Sequence, residues 1–250
     1  MDGTRTLDDL VTGPLIITGT GTEVGKTIVT AALAAAALRA GLTVAAVKPV
    51  QTGLSPGEPG DVQEVGRLSG CPTCLELLRY PDPLAPAAAA RVAGLPDPDL
   101  DELAERIAAL SRDVDLVLVE GAGGLLVPFD GAGRTLVDLC RLVSARTGRR
   151  VPFAVVADPA LGTLNHSALT LATLAAAGLD VAGVILGSWP SDPDLACRSN
   201  LTDLPAIVGA PLAGVLPAGA AALDREAFAA AAVAGMAPRF GGTFSGTITA

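Results

Sequence analysis

The chain has 250 residues, enough for one α/β domain with a full core, and its 17 Lys and Arg against 26 Asp and Glu give a formal charge of −9. No basic stripe is present to displace counterions, which excludes nucleic acid as the main partner. Apolar residues make up 50% but aromatics only 3%, so the core is expected to be built from Val, Leu, Ile and Ala.

Met1 to Gly13 carries Asp2, Asp8 and Asp9 and no apolar centre. It does not read as a secretory signal and is expected to be a loose extension (residues 1–13). The first strand is predicted at Pro14–Thr18. It is followed by Gly19-Thr20-Gly21-Thr22-Glu23-Val24-Gly25-Lys26-Thr27 and by a helical Ala/Leu-rich stretch to Ala40. Strand, glycine loop, Gly-Lys-Thr and helix together make a phosphate loop: its N–H groups and the helix dipole face phosphate oxygens. Lys26 would reach the outer phosphates and the Thr27 hydroxyl a magnesium ion. Five residues separate Gly19 from Gly25, one more than the common pattern allows.

A second strand is predicted at Thr43–Lys48. A lysine closing a buried strand is costly unless paired with anions, so Lys48 is a candidate for binding them, the alternative being a solvated rim lysine. A Gly/Pro-rich loop, residues 53–60, leads to Asp61 and a helix over Val62–Ser69. On the residues alone, Asp61 is either a helix N-cap or a metal ligand. Cys71-Pro72-Thr73-Cys74 has the spacing of a redox or zinc half-site. Its companion pair is missing, because Cys140 and Cys197 lie far apart in sequence, so reduced thiols in a loop are expected.

Helices are predicted at Pro86–Val92 and Leu100–Leu110, then a strand at Asp115–Val119. Glu120 closes that strand and Gly121-Ala122-Gly123-Gly124 follow. A carboxylate at a strand end followed by small residues is a usual second ligand for nucleotide-bound magnesium, the alternative being a rim carboxylate. A helix at Leu136–Thr147, a strand at Pro152–Ala157 closed by Asp158, and a helix at Leu164–Ala177 come next. Strands at Val181–Leu186, followed by Gly187-Ser188, and at Leu212–Leu216 precede a last helix at Arg225–Val233. The uncharged runs 159–179 and 204–223 are broken by Pro, Gly or polar residues and read as buried elements, so the protein is expected to be cytoplasmic with no membrane partner. Unalternating apolar strands alternating with helices predict a doubly wound, mostly parallel sheet in a three-layer αβα domain of P-loop NTPase type. The domain is expected over residues 14–238, with a flexible tail at 239–250.

Taken together, GTGTEVGKT with its five-residue gap, KPVQTG, Asp61 ahead of QEVGRLSG, YPDPLAPAAAA, VEGAGGLLVP, DPALGTLNHSALTL, ILGSWP and LPAGAA resemble, in order, the motifs of the dethiobiotin synthase family. The resemblance runs from about Leu15 to about Phe228. It implies a homodimer that uses ATP, Mg2+ and CO2 to close 7,8-diaminononanoate into a cyclic urea. It implies Lys48 and Lys26 as the catalytic pair and Thr27, Asp61 and Glu120 as magnesium ligands. Nucleotide contacts are implied at Glu23, Val24, Gly25, Lys26, Thr27, Ile28, Asp61, Glu120, Gly121, Ala122, Gly123, Gly187, Ser188, Pro217, Gly219 and Ala220. Thr22 and Thr52 would meet the diamine or its carbamate, and Pro83 and Ala85 its alkyl chain. The substrate carboxylate would meet Gly162, Thr163, Leu164 and Asn165 of the second subunit. Many family members read adenine with an Asn-Asp type pair where this chain has Gly187-Ser188. That departure implies relaxed base choice, with CTP or GTP competing with ATP. Dimeric switch ATPases, which share the fold, carry a further lysine early in the loop; here Lys26 is the only one.

Overall fold

The computed structural model describes residues 10–209 and 212–246. Seven strands form one sheet: β1 (Gly13–Gly19), β2 (Val44–Thr52), β3 (Thr73–Tyr80), β4 (Leu116–Gly124), β5 (Phe153–Ala157), β6 (Val181–Trp189) and β7 (Leu212–Pro217). Every pairing is parallel, in the spatial order β3-β2-β4-β1-β5-β6-β7. Among the described residues seven helices connect them, α1 (Lys26–Arg39), α2 (Asp61–Ser69), α3 (Pro86–Ala93), α4 (Leu100–Leu110), α5 (Leu136–Thr147), α6 (Thr163–Ala176) and α7 (Leu195–Val208), and α8 (Arg225–Gly235) follows the last strand.

Parallel strands need crossover helices, and the helices cover both faces. Successive β1 residues show this. Leu15 and Ile17 pack in the cluster that holds α1, α2 and α8, whereas Ile16 packs with α4 and α5. Helix α1 is the centre of the first layer. From Val29 to Ala37 every residue is buried, and small alanines let it lie close to sheet and neighbouring helices at once. The aliphatic core expected from the composition is observed; Phe129, Phe153 and Phe228 are its largest fully buried side chains.

Register places the chemistry. Ile17 lies opposite Glu120, and Val47 opposite Val119, so Lys48 comes up beside Glu120 at the edge where the phosphate loop leaves β1. The connection from β1 leads to β2 on one side, and that from β4 leads to β5 on the other. The crevice above β1 and β4 is therefore the topological switch point, where such sheets bind ligands.

The structure departs from the sequence reading in four ways. β3 is a seventh strand where a loop was expected; Cys71 precedes it and Cys74 lies within it. Its Leu, Glu and Arg residues favour helix, and only pairing along β2 selects the extended form. The helix α7, capped by Asp194, was not anticipated because Pro205 lies inside it. Strands β2, β4 and β6 run past the expected ends, so Gln51, Glu120, Gly187 and Ser188 are strand residues, as Lys48 was expected to be. Finally, Leu10 and Val11 pack on the core, and Phe240 and Phe244 are buried, where a loose extension and tail were expected. The remainder of those segments, residues 1–9 and 247–250, lies outside the described residues.

Candidate active site

A cleft of about 510 Å3 opens at the switch point, lined by Thr22, Glu23, Gly25, Lys26, Thr27, Ile28, Lys48, Gln51, Thr52, Leu54, Asp61, Glu120, Ala122 and Gly123. The expected catalytic lysines, Lys26 and Lys48, and the expected metal ligands, Thr27, Asp61 and Glu120, thus share one space. The loop takes its shape from two backbone features. Gly25 has φ +93°, and Glu23, with φ +61°, is the one non-glycine residue at positive φ among the described residues. Gly25 also rests on β6: a Cβ on Gly187 would stand 2.2 Å from the Val24 carbonyl oxygen. Gly187 is therefore the floor of the phosphate loop.

Lys48 is almost fully buried and all three of its ammonium donors are used. It meets Asp61 Oδ2 at 2.5 Å and donates to Glu120 Oε1 at 2.8 Å and to the Gly121 carbonyl at 3.2 Å. Burial pulls the Lys48 pKa down, but Glu120 and then Asp61 outweigh it and hold the lysine above its ordinary value. Burial likewise raises Asp61, and Lys48 reverses this, leaving the carboxyl below its usual range. The N-cap of α2 is Gly60, so Asp61 is the first helical residue with its carboxylate turned into the cleft; it is not the cap. Lys26 donates to the Gly21 carbonyl at 2.9 Å. Burial, then repulsion from Lys48, lower its pKa to about 8, with Glu120 and Asp61 opposing.

Glu120 is 1% exposed. Its Oε1 accepts from Lys48 and from the Thr27 hydroxyl at 3.0 Å, while Oε2 has no partner. An unpartnered buried carboxylate oxygen is costly, and a hard cation is the group that oxygen donors of this kind suit. Thr27 Oγ1, Glu120 Oε2 and the Asp61 carboxylate supply hydroxyl and carboxylate oxygen from three elements around one space, so these residues fit a magnesium ion.

Other expected residues stand apart from this cleft. Val24 and Gly121 flank it, with Val24 buried beneath the loop. Pro83 packs against Gly53 at the cleft's margin, and Ala85 is the N-cap of α3. Ser188 lies on β6. Pro217 pairs with Trp189 at the end of β7, and Gly219 and Ala220 begin the short turn that follows. Gly162 caps α6 with φ +100° and no side-chain cap bond; Thr163 is buried, Leu164 half-buried and Asn165 exposed. Gln51 was missed by the sequence reading. It is buried, and its Oε1 accepts from the Asp61 N–H at 3.0 Å. Its place in KPVQTG was the signal available.

The fold and the cleft define a phosphate-loop nucleotide-binding protein. A family described as "AAA domain" matches residues 14–225. Among solved structures, a ParA family ATPase from Chlorobium tepidum superposes with a TM-score of 0.51 at 15% identity, covering 90% of this chain and 91% of that one. Chloroplast FtsY from Physcomitrella patens gives 0.51 at 20% identity over 89% and 65%. Both likenesses concern the fold alone. The sequence relatives are much nearer. The ATP-dependent dethiobiotin synthetase BioD of Frankia casuarinae is 57% identical over 92% of this chain and 94% of its own length. The protein of the same name from Saccharopolyspora erythraea is 58% identical over 92% and 98%. The chain belongs to the dethiobiotin synthetase family.

Proposed function

We propose that this protein closes 7,8-diaminononanoate and CO2 into dethiobiotin at the expense of ATP, releasing ADP and phosphate in biotin biosynthesis. The observation that carries this reading is Lys48, buried between Glu120 and Asp61 in the same cleft as the phosphate-loop Lys26. A nucleotide-binding module needs only the loop. A second buried cation beside it suits a reaction that must hold two anions together.

One substrate amine adds to CO2, losing a proton, to give a carbamate. A carbamate oxygen then attacks the γ-phosphorus, and the bond to ADP breaks. The second amine attacks the carbamoyl carbon of this mixed anhydride, phosphate leaves, and the cyclic urea remains. The substrate supplies both nucleophiles, so the protein's part is positioning and charge. Lys48, by exchanging one of its carboxylate contacts, would hold the carbamate against the γ-phosphate, and Lys26 would take charge developing on the phosphate oxygens. Thr27, Asp61 and Glu120 would hold Mg2+, which supplies further neutralisation of the triphosphate. Thr22 and Thr52 line the same cleft and serve the carbamate end; Pro83 and Ala85 border the alkyl chain. Glu23, Val24, Gly25, Ile28, Gly121, Ala122 and Gly123 surround the phosphates, and Ser188, Pro217, Gly219 and Ala220 the base.

Gly162 to Asn165 lie outside the cleft of their own protomer, and the uncapped N-terminus of α6 suits a carboxylate. Leu161 and Leu169 beside it are 89% and 60% exposed. These features support a homodimer in which each protomer completes its partner's site. No helix among the described residues is long and apolar enough to cross a membrane, which accords with a cytoplasmic location. The test is phosphate release from ATP, Mg2+ and bicarbonate with and without the diamine, with mass detection of the product. Diamine-dependent release with dethiobiotin formed is the expected result; diamine-independent hydrolysis without product would overturn the proposal. CTP and GTP in the same assay are expected to compete with ATP, and strict ATP preference would remove that part.

A further inference from the structure

Asp61 is reached through the loop of residues 53–60, in which every residue but Gly60 is exposed or half-buried and two residues are proline. Such a segment has little internal hydrogen bonding to fix it: Ser55 and Glu58 bond to each other, the Gly60 N–H donates to Gln63 Oε1 of α2 at 2.8 Å, and the other anchors come from β3. Arg79 lies beside Gln51 in the parallel register of β2 and β3. Its Nη1 donates to the carbonyls of Ser55 and Glu58, both at 2.8 Å. Its Nε and Nη2 donate to the two carboxylate oxygens of Glu76 at 2.6 and 2.7 Å. The guanidinium is thus fixed on one side by a bidentate pair and holds the loop with the other. The fit is close. A Cβ on Gly60 would stand 2.7 Å from Glu76 Oε2, 3.0 Å from Gln51 Oε1 and 3.1 Å from Arg79 Nη2. Gln51 continues the chain of contacts to the Asp61 N–H.

We infer that Arg79, clamped by Glu76, is a positioning residue that sets Asp61 through the 53–60 loop and so tunes how tightly the site holds its divalent cation. This rests on the reading of Asp61 as a metal ligand. Partners that orient a ligand commonly change metal affinity by roughly 10- to 100-fold when removed. Neither Arg79 nor Glu76 lines the cleft, so neither touches substrate.

The test uses the full chain with Arg79→Met, Arg79→Lys, Glu76→Gln and Asp61→Asn. Two readouts are taken against Mg2+ concentration: thermal stabilisation in the presence of ADP, and diamine-dependent phosphate release. Arg79→Met is expected to raise half-saturating Mg2+ roughly 10-fold with the KM for diamine unchanged. A further variant, Arg79→Ala, leaves room for guanidinium ion, which is expected to restore part of the affinity when added. Arg79→Lys keeps the charge but loses the fork and should fall between. If Arg79→Met does not fold, Glu76→Gln carries the test and should shift in the same direction. A shift in Asp61→Asn with none in the Arg79 and Glu76 variants overturns the inference and leaves the reading of Asp61 standing. No shift in Asp61→Asn removes that reading, and the inference with it.

Discussion

Replacing Lys48 with methionine removes the one cation that meets both the buried Glu120 and the half-buried Asp61. The side chain stays unbranched and is one heavy atom shorter, so most of the packing is conserved while the charge is lost. Glu120 would then retain a single hydrogen bond, from Thr27, with Oε2 already unpartnered and 1% of the residue exposed. Asp61 would lose its 2.5 Å contact. Removing one member of a buried ion pair destabilises by about 3–5 kcal/mol, because the remaining charge is left uncompensated. For a domain of this size each kcal/mol lowers the melting temperature by about 2–4 °C, so a drop of about 6–20 °C is expected by calorimetry without ligands. Mg2+ with ADP should recover more of that loss in Lys48→Met than it adds to the wild type, since it supplies charge to the same carboxylates. Diamine-dependent phosphate release should fall at least about 100-fold, the usual cost of losing a group that stabilises transition-state charge. An unchanged melting temperature would refute the reasoning about Lys48 and its two carboxylates. A stable variant with activity within about tenfold of wild type would refute the catalytic assignment.

Lys26 titrates near 8 in the ligand-free protein. A bound triphosphate favours its cationic form, so the bound pKa lies higher and binding takes up a proton above pH 8. Calorimetric affinity for a triphosphate, without diamine, should be flat below about pH 8 and fall by at most about tenfold per unit above it; a flat profile to about pH 9.5 would contradict the shift. Gly187→Ala should push the phosphate loop off β6, costing about 1–3 kcal/mol of stability in a thermal melt and weakening all nucleotides alike. If only ATP binding weakens, residue 187 reads the base and is no mere floor. Asn165→Ala should raise the KM for diamine with kcat and Mg2+ dependence little changed, whereas an unaltered KM would detach the α6 N-terminus from the substrate.

Much of the site was legible because its parts are local. The phosphate loop announces itself by glycines between a strand and a helix, and Glu120 and Lys48 by charge on the ends of apolar runs. Asp61 was ambiguous between cap and ligand, since both readings want an acid at a helix start. Only the position of Gly60 as N-cap, and Lys48 meeting the carboxylate, separate them. Arg79 and Glu76 could not be read at all. Their meaning depends on β3 pairing with β2, and β3 is a strand by virtue of its neighbour, against the preference of its own residues. Likewise α7 overrides an internal proline. Local chemistry was thus visible in the sequence; what depends on tertiary pairing was not.

The alanine helix α1 has a mechanical consequence. Its residues from Val29 to Ala37 are shielded from solvent, and alanine has no rotamers to surrender. Its amides should therefore exchange with solvent only when the whole molecule opens. A phosphate loop rooted in that helix is an anvil: it cannot pass the presence of a ligand along by shifting its own base. The opposite bank of the cleft, the chain between Gly53 and Gly60, has no such buried root and rests on the Arg79 fork and a few backbone contacts.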